Sequence, residues 1–235
     1  MQEDAFEQLH PLEVLRNTPI LSGLQDSSLS KLANASRFVS VEKGVFLFYQ
    51  NDPADTAFLL WSGEMSVVLS SADGREMIIA EIQPGDCFGE VSLLTTGQRT
   101  AGALAREDSI VLEMNAKTFL SVLDVEPVLA REMLKIATLR LSRAQKRESA
   151  LAFLDAPARV ARVLLELDDL DKQGSDKGYI ILSQEEVAQR TGLTRQTVAH
   201  NLGQWRRRDW ILTGRGRIMI LNRTALSRIR EQNQF

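Results

Sequence analysis

The sequence predicts an α+β chain in three parts: an antiparallel β-roll of the jelly-roll kind, one long helix, and a C-terminal helix pair backed by a β-hairpin. Three observations predict it. Short apolar runs alternate with turn residues from Arg37 to Asn115. A continuous helical pattern runs from Pro127 to about Phe153. Residues 182–221 then carry the spacing of a helix-turn-helix with a basic hairpin behind it. The boundaries read from these changes are 1–126, 127–154 and 155–235.

Composition removes several classes of function. The chain has 235 residues, enough for two modest domains with cores of their own. No apolar run approaches the roughly 18 residues of a membrane span. The segment Met1–Leu15 holds Glu3, Asp4, Glu7 and Glu13 and lacks the basic-then-apolar order of a signal peptide. The expectation is a cytoplasmic protein with no membrane partner. Cys87 is the single cysteine and His10 and His200 the two histidines. That excludes an intrachain disulfide, a four-thiolate iron–sulfur cluster and a His-rich metal centre. No metal is expected, and no nucleophile–base pair of an enzyme stands out. Charge divides along the chain: residues 1–155 carry a net −8 and residues 156–235 a net +5. An acidic front and a basic end point to nucleic acid at the C-terminus.

The elements follow in order. Leu12 and Leu15, then Leu29 and Leu32, lie at helical spacing, with Asp26 as the expected N-cap. Strands are expected at Val45–Tyr49, Ala57–Trp61, Met65–Leu69, Met77–Ile82, Thr100–Leu104 and Ile110–Met114, with turns such as Lys43-Gly44, Ser62-Gly63 and Asp73-Gly74 between them. A short helix spans Ala116–Leu123. The long helix opens on Pro127 and has two apolar faces. Leu129, Met133 and Ile136 form one, suited to covering the roll. Ala130, Leu134, Ala137, Leu141, Ala144 and Leu151 form the other, at the steps of four and three that mark a coiled-coil seam. A helix of about 27 residues reaches near 40 Å, beyond one small roll, so residues 130–151 are expected to join two copies as a homodimer. Asp155-Ala156-Pro157 breaks the pattern as a hinge. A helix at Ala158–Leu167 and a loop at Asp168–Gly178 follow.

The sharpest signal lies next. Ser183 with Glu186 is a capping box. Gly192 permits the turn, Leu193 fills the angle between two helices, and Thr194 caps the second, whose Val198 and Leu202 face the core. That second helix presents Arg195, Gln196, Thr197, Ala199 and His200 near its start, the end that enters the major groove in such motifs. Arg matches guanine's paired acceptors, and Gln matches adenine. Arg206 at the helix end, with Arg207 and Arg208, can meet phosphates, as can Arg215 and Arg217 in the hairpin turn. Double-stranded DNA is the expected partner.

Thr194-Arg195-Gln196-Thr197-Val198 followed by the hairpin resembles the Crp/Fnr family of transcriptional regulators. Ala150-Leu151-Ala152-Phe153-Leu154-Asp155, before the hinge, is similar to the same stretch in that family. The resemblance covers nearly the whole chain and implies a cyclic-nucleotide-binding β-roll, a long dimerisation helix and a winged helix-turn-helix. An activator of this kind also meets RNA polymerase. The family's cyclic AMP-responsive members have Glu where Gln196 stands and Arg where His200 stands, so a different operator is expected.

Within the roll, Phe88-Gly89-Glu90-Val91-Ser92-Leu93-Leu94 and Gly97-Gln98-Arg99-Thr100-Ala101 resemble the family's phosphate-binding cassette. Arg99 can pair with a cyclic phosphodiester, and Thr100 can add a hydroxyl. Gly89 admits close backbone approach, and the helix after it can aim N–H groups at the phosphate. Glu90 can accept a sugar hydroxyl. Val91 and Ser92 complete the cassette. The alternative is that Glu90 and Arg99 pair with each other. Matching through the Leu151–Asp155 stretch places Ala144 and Gln145 where the family's cyclic AMP binders use Thr and Ser on the purine. Gln145 can still bond a base edge. Cyclic AMP, cyclic GMP, a cyclic dinucleotide or no effector at all stay open. Cys87 reads as a buried small hydrophobe. Two further readings remain: an orphan regulator that needs no ligand, and a cyclic-nucleotide signalling module that acts by protein contact.

Overall fold

A computed structural model describes residues 10–95, 97–171 and 178–231. The chain forms two compact units, divided between Leu141 and Ser142.

The first unit opens with helices α1 (Pro11–Arg16) and α2 (Asp26–Asn34). Eight strands follow: β1 (Ser36–Val41), β2 (Phe46–Phe48), β3 (Thr56–Ser62), β4 (Met65–Ser70), β5 (Glu76–Ile82), β6 (Cys87–Phe88), β7 (Gly102–Ala105) and β8 (Ser109–Asn115). Helix α3 (Glu90–Leu94) lies between β6 and β7; α4 (Ala116–Val125) and the start of α5 (Pro127–Phe153) close the unit. The strands make two antiparallel sheets of four, in the orders β1-β8-β3-β6 and β2-β7-β4-β5. Their inner faces share one core that includes Val41, Phe58, Leu60, Met65, Ile82 and Val111. The middle of β3, residues 57–60, is apolar and buried because both its faces are covered. Phe58 and Leu60 enter the space between the sheets, while Ala57 and Leu59 join a second core with α1, α2, α4 and α5. Leu129 and Met133 are buried in that second core and Ile136 packs against it, as one face of the long helix predicted.

All six expected strands are present within one or two residues of their bounds. Two were not foreseen. Strand β1 has Ser36, Arg37 and Ser40 among its apolar residues, which blurs its alternation. Strand β6 is only two residues, held by pairing with Phe58 and Leu59. The expected cap on α2 is corrected. Asp26 lies inside the helix and bonds Arg16 at 2.8 Å, while Gln25 is the N-cap residue and makes no side-chain cap. The helix end is served from 101 residues away, where buried Glu126 accepts the Gln25 amide at 3.3 Å and the Ser28 hydroxyl at 2.5 Å. A remote carboxylate at a helix N-terminus does a cap's work, which local sequence cannot show.

The second unit continues from the end of α5 into α6 (Ala156–Asp171), β9 (Ile180–Ile181), α7 (Gln184–Thr191), α8 (Arg195–Arg207), β10 (Ile211–Gly214), β11 (Arg217–Ile220) and α9 (Arg223–Glu231). Asp155 caps α6 by accepting the Ala158 amide at 2.9 Å. Strands β10, β11 and β9 form an antiparallel sheet. Val160, Leu164, Val187, Val198, Leu202 and Trp205 build the core with Ile211 and Ile218. Helix α6 runs four residues beyond its expected end, so the loop assigned to Asp168–Gly178 is corrected at its start. Arg223 of α9 reaches both Asp168 and Asp169, which ties the last turn of α6 in place. The rest of that loop, 172–177, lies outside the described residues.

Candidate effector pocket and nucleic-acid interface

The roll's polar centre is built around backbone that few residue types can adopt. Gly89, with φ +79°, is the left-handed N-cap of α3. A Cβ there would stand 2.8 Å from Nη1 of Arg99, so glycine serves both the turn and the close approach. Arg99 is 2% exposed. Its Nη1 donates to the carbonyls of Thr56 (2.9 Å) and Gly89 (3.1 Å), and its Nη2 donates to Thr56 Oγ1 (2.7 Å). The guanidinium lies 4.2 Å from the Phe48 ring centre and 5.1 Å from that of Phe58. Burial holds its pKa below the ordinary guanidinium value, while the charges of Asp55, Asp52 and Glu113 act in the opposite sense.

Glu90 is buried, and its partner is Arg140 of α5, not Arg99. Arg140 also donates to the Cys87 carbonyl at 2.7 Å. The Glu90–Arg99 pairing weighed from sequence is therefore corrected: α5 supplies the cation for Glu90. Arg140 carried no motif signal, and its position one turn before Ala144 on the roll-covering helix was the sole hint. Buried Glu90 Oε2 and Arg99 Nε make no hydrogen bond among the described residues. Ser92 is buried and accepts the Thr100 amide at 3.2 Å, which joins the two arms of the cassette, while Thr100 and Val91 are exposed. Gln145 is exposed on α5 and belongs to the second unit. Burial and the nearby Glu90 charge push the Cys87 thiol far up, so it stays protonated and inert.

The helix-turn-helix forms as its caps dictate. Ser183 Oγ accepts the Glu186 amide at 3.2 Å, and Glu186 accepts the Ser183 amide at 2.8 Å. Gly192 takes φ +66°. Thr194 Oγ1 accepts the Thr197 amide at 3.2 Å and lies 2.9 Å from Thr197 Oγ1. Arg195, Gln196 and His200 are exposed at the start of α8, while Thr197 and Ala199 are half-buried. His200 Nε2 lies 2.8 Å from Gln204 Nε2, so Gln204 influences the imidazole's orientation. Arg206, Arg215 and Arg217 are exposed. Ser183, Arg195 and Arg215 line one cleft of ≈ 330 Å³, which also takes in Gln184, a neighbour that the sequence reading passed over. Arg217 leans on the Tyr179 ring at 4.9 Å and is partly committed to that contact.

A β-roll with a phosphate-cassette turn and a winged helix-turn-helix define the class: a DNA-binding transcriptional regulator, not an enzyme. The cyclic nucleotide-binding domain family matches residues 38–126, and the Crp-like helix-turn-helix domain family matches residues 158–229. The cAMP-activated global transcriptional regulator CRP of Pasteurella multocida is 31% identical over 159 residues, covering 66% of this chain and 76% of that protein. The CRP-like cAMP-activated global transcriptional regulator of Mycobacterium tuberculosis is 28% identical over 221 residues, covering 92% of this chain and 98% of that protein. The c-di-GMP responsive global regulator CLP of Xanthomonas campestris shares the fold, with a TM-score of 0.76 at 19% identity over 83% of this chain and 99% of that one. The chain belongs to the Crp/Fnr family of transcriptional regulators.

Gly89→Ala should destabilise the roll by about 1–2 kcal/mol from left-handed backbone alone, with more from displacing Arg99. Urea unfolding against wild type measures it. Wild-type stability would show that neither the turn nor the approach is needed.

Proposed function

We propose that this regulator's operator affinity is controlled by a cyclic nucleotide held in the roll. The observation that carries this reading is Arg99, a 2% exposed cation with no carboxylate in ion-pair distance among the described residues. Carbonyl dipoles, ring faces and the more distant charges of Asp55, Asp52 and Glu113 support it, but no carboxylate pairs with it directly, and a phosphodiester would. The unpartnered atoms Arg99 Nε and Glu90 Oε2 fit the same ligand, one as a donor to phosphate and the other as an acceptor for a sugar hydroxyl. Thr100, Gly89, Val91 and Ser92 frame the site. Gln145 is assigned to the base edge by resemblance alone. Effector binding then favours the dimer conformation that sets two recognition helices one DNA turn apart, about 34 Å. The protein acts in the cytoplasm on double-stranded operator DNA.

The dimer rests on the second face of α5. Ala130, Leu134, Ala137 and Leu141 are exposed in the single chain, Leu134 at 68% and Leu141 at 60%, and their spacing is that of a coiled-coil seam. One observation favours a second reading, a regulator that needs no effector. Arg140 already pairs with Glu90, and Thr56 and Gly89 already receive Arg99, so the centre is largely self-satisfied.

Calorimetric titration with cyclic mono- and dinucleotides separates these readings. Arg99→Leu should abolish heat from any phosphate-bearing effector. Unchanged affinity in that variant removes the pocket, and equal operator affinity with and without every nucleotide establishes the orphan reading. Leu134→Glu should shift sedimentation from dimer toward monomer; a tight dimer moves the interface off this face. Gln196→Glu should move the preferred half-site from adenine toward cytosine pairing, by about 5- to 150-fold for one bidentate contact. Binding-site selection from random DNA at one salt concentration reads this, and an unchanged motif would mean that Gln196 does not read bases.

A further inference from the structure

Helix α8 carries a polar stripe that neither its cap nor its core uses. Val198, Leu202 and Trp205 join the core of the second unit. Gln196, His200 and Gln204 follow one another at steps of four, the spacing that stacks side chains on one helix face. His200 is exposed and Gln204 half-buried. Their side chains meet nitrogen to nitrogen, with Gln204 Nε2 2.8 Å from His200 Nε2. Neither side chain makes another hydrogen bond or ion pair among the described residues.

That contact fixes a proton. An amide nitrogen carries two hydrogens and no free acceptor site, so it donates. The imidazole nitrogen that faces it must accept. Nε2 is therefore bare, and the single N–H of the neutral ring sits on Nδ1. A histidine side chain left to itself in water favours the opposite tautomer, so Gln204 does more than lend the helix a surface pair. The consequence falls in the major groove, which the second helix of this motif enters with its first turns. His200 stands in the second turn of α8, and Gln204 lies about 6 Å farther along the axis, at 1.5 Å per residue. With Nε2 engaged along the helix, Nδ1 is the ring nitrogen left for a base edge. A ring N–H bonds only acceptors. Guanine presents two, N7 and O6, whereas cytosine presents the donor N4.

We propose that Gln204 is a positioning residue for operator recognition, holding His200 as the Nδ1–H tautomer so that it reads guanine in preference to cytosine, a role that rests on α8 being the helix that enters the major groove. Gln204 itself need not touch DNA.

The test uses the full chain in two measurements. Imidazole nitrogen NMR of the DNA-free protein, at alkaline pH where imidazole is neutral, reads the tautomer directly. The chain has two histidines, His10 and His200, and His10→Asn assigns the signals. His200 should carry its proton on Nδ1 in wild type and shift toward Nε2–H in Gln204→Met, which keeps side-chain length and loses the hydrogen bond. Nε2–H in wild type overturns the proposal, as does an unchanged tautomer in Gln204→Met. Selection of binding sites from random DNA at one salt concentration is the second measurement. His200→Ala identifies the operator position that His200 reads. Gln204→Met should lower guanine preference there by about two- to tenfold, the worth of one neutral hydrogen bond, and leave other positions alone. In the His200→Ala background, Gln204→Met should change nothing further, because it acts through the imidazole. An added change there makes Gln204 a base contact in its own right and overturns the positioning role, as does wild-type guanine preference in Gln204→Met. A motif altered by Gln196→Glu but not by His200→Ala keeps α8 in the groove and overturns this proposal alone. A motif altered by neither removes the reading of α8, and the proposal with it. Should Gln204→Met fail to fold, Gln204→Ala, the better helix former, decides by the same outcomes.

Discussion

A guanidinium that water barely reaches must be solvated by the protein around it, and Arg99 imposes that demand on the whole roll. The transfer of an unpaired charge into a sandwich of Val, Leu and Phe costs several kcal/mol, by order of magnitude. The roll meets the cost with oriented groups. Thr56 offers a carbonyl and a hydroxyl from β3, Gly89 offers a carbonyl from the turn, and the faces of Phe48 and Phe58 lie against the cation. Thr56 and Phe58 come from β3, Phe48 from β2 of the other sheet and Gly89 from the turn after β6, so the site exists only when both sheets are assembled. Gly89 is the narrowest point of the arrangement, because its left-handed turn starts α3 and leaves room for the Arg99 side chain.

The same polar centre reaches the long helix through Glu90. Its carboxylate sits beneath α5 and is bonded by Arg140, which also caps the Cys87 carbonyl. Glu90 is buried and Arg140 half-buried; such a pair contributes little net stability, yet removing the cation would strand the buried carboxylate. Glu90 and Arg140 therefore specify where α5 lies on the roll more than they strengthen it. Under the proposed function, a ligand at Glu90 and the position of α5 would share this one contact.

In the second unit, local and tertiary forces agree. The capping box at Ser183, the left-handed Gly192 and the Thr194 cap each settle a helix end from residues within four positions. Val187, Val198, Leu202 and Trp205 then bury one side of each helix, and Arg195, Gln196 and His200 are left outward by subtraction. The exposed polar face is thus a consequence of core periodicity, and Gln204 adds a local restraint on His200.

Much of what depends on near neighbours was legible in the sequence, though strand β1 and the cap of α2 were not. The β-roll, the long helix, the helix-turn-helix and both capping residues follow from period, turn chemistry and spacing. Gly89, Glu90 and Arg99 were picked out by resemblance to a phosphate-binding cassette, and the fold brings Arg99 onto the Gly89 carbonyl. Tertiary structure alone decided who partners whom. Glu126 serves α2 across 101 residues, Arg140 takes Glu90, and Thr56 takes Arg99 across 43. It also extended α6 through the grip of Arg223 on Asp168 and Asp169. Backbone preference and side-chain period act over a few residues and leave a signature there. Charge pairing in a folded interior acts over a few ångströms, between residues whose separation along the chain carries no pattern to read.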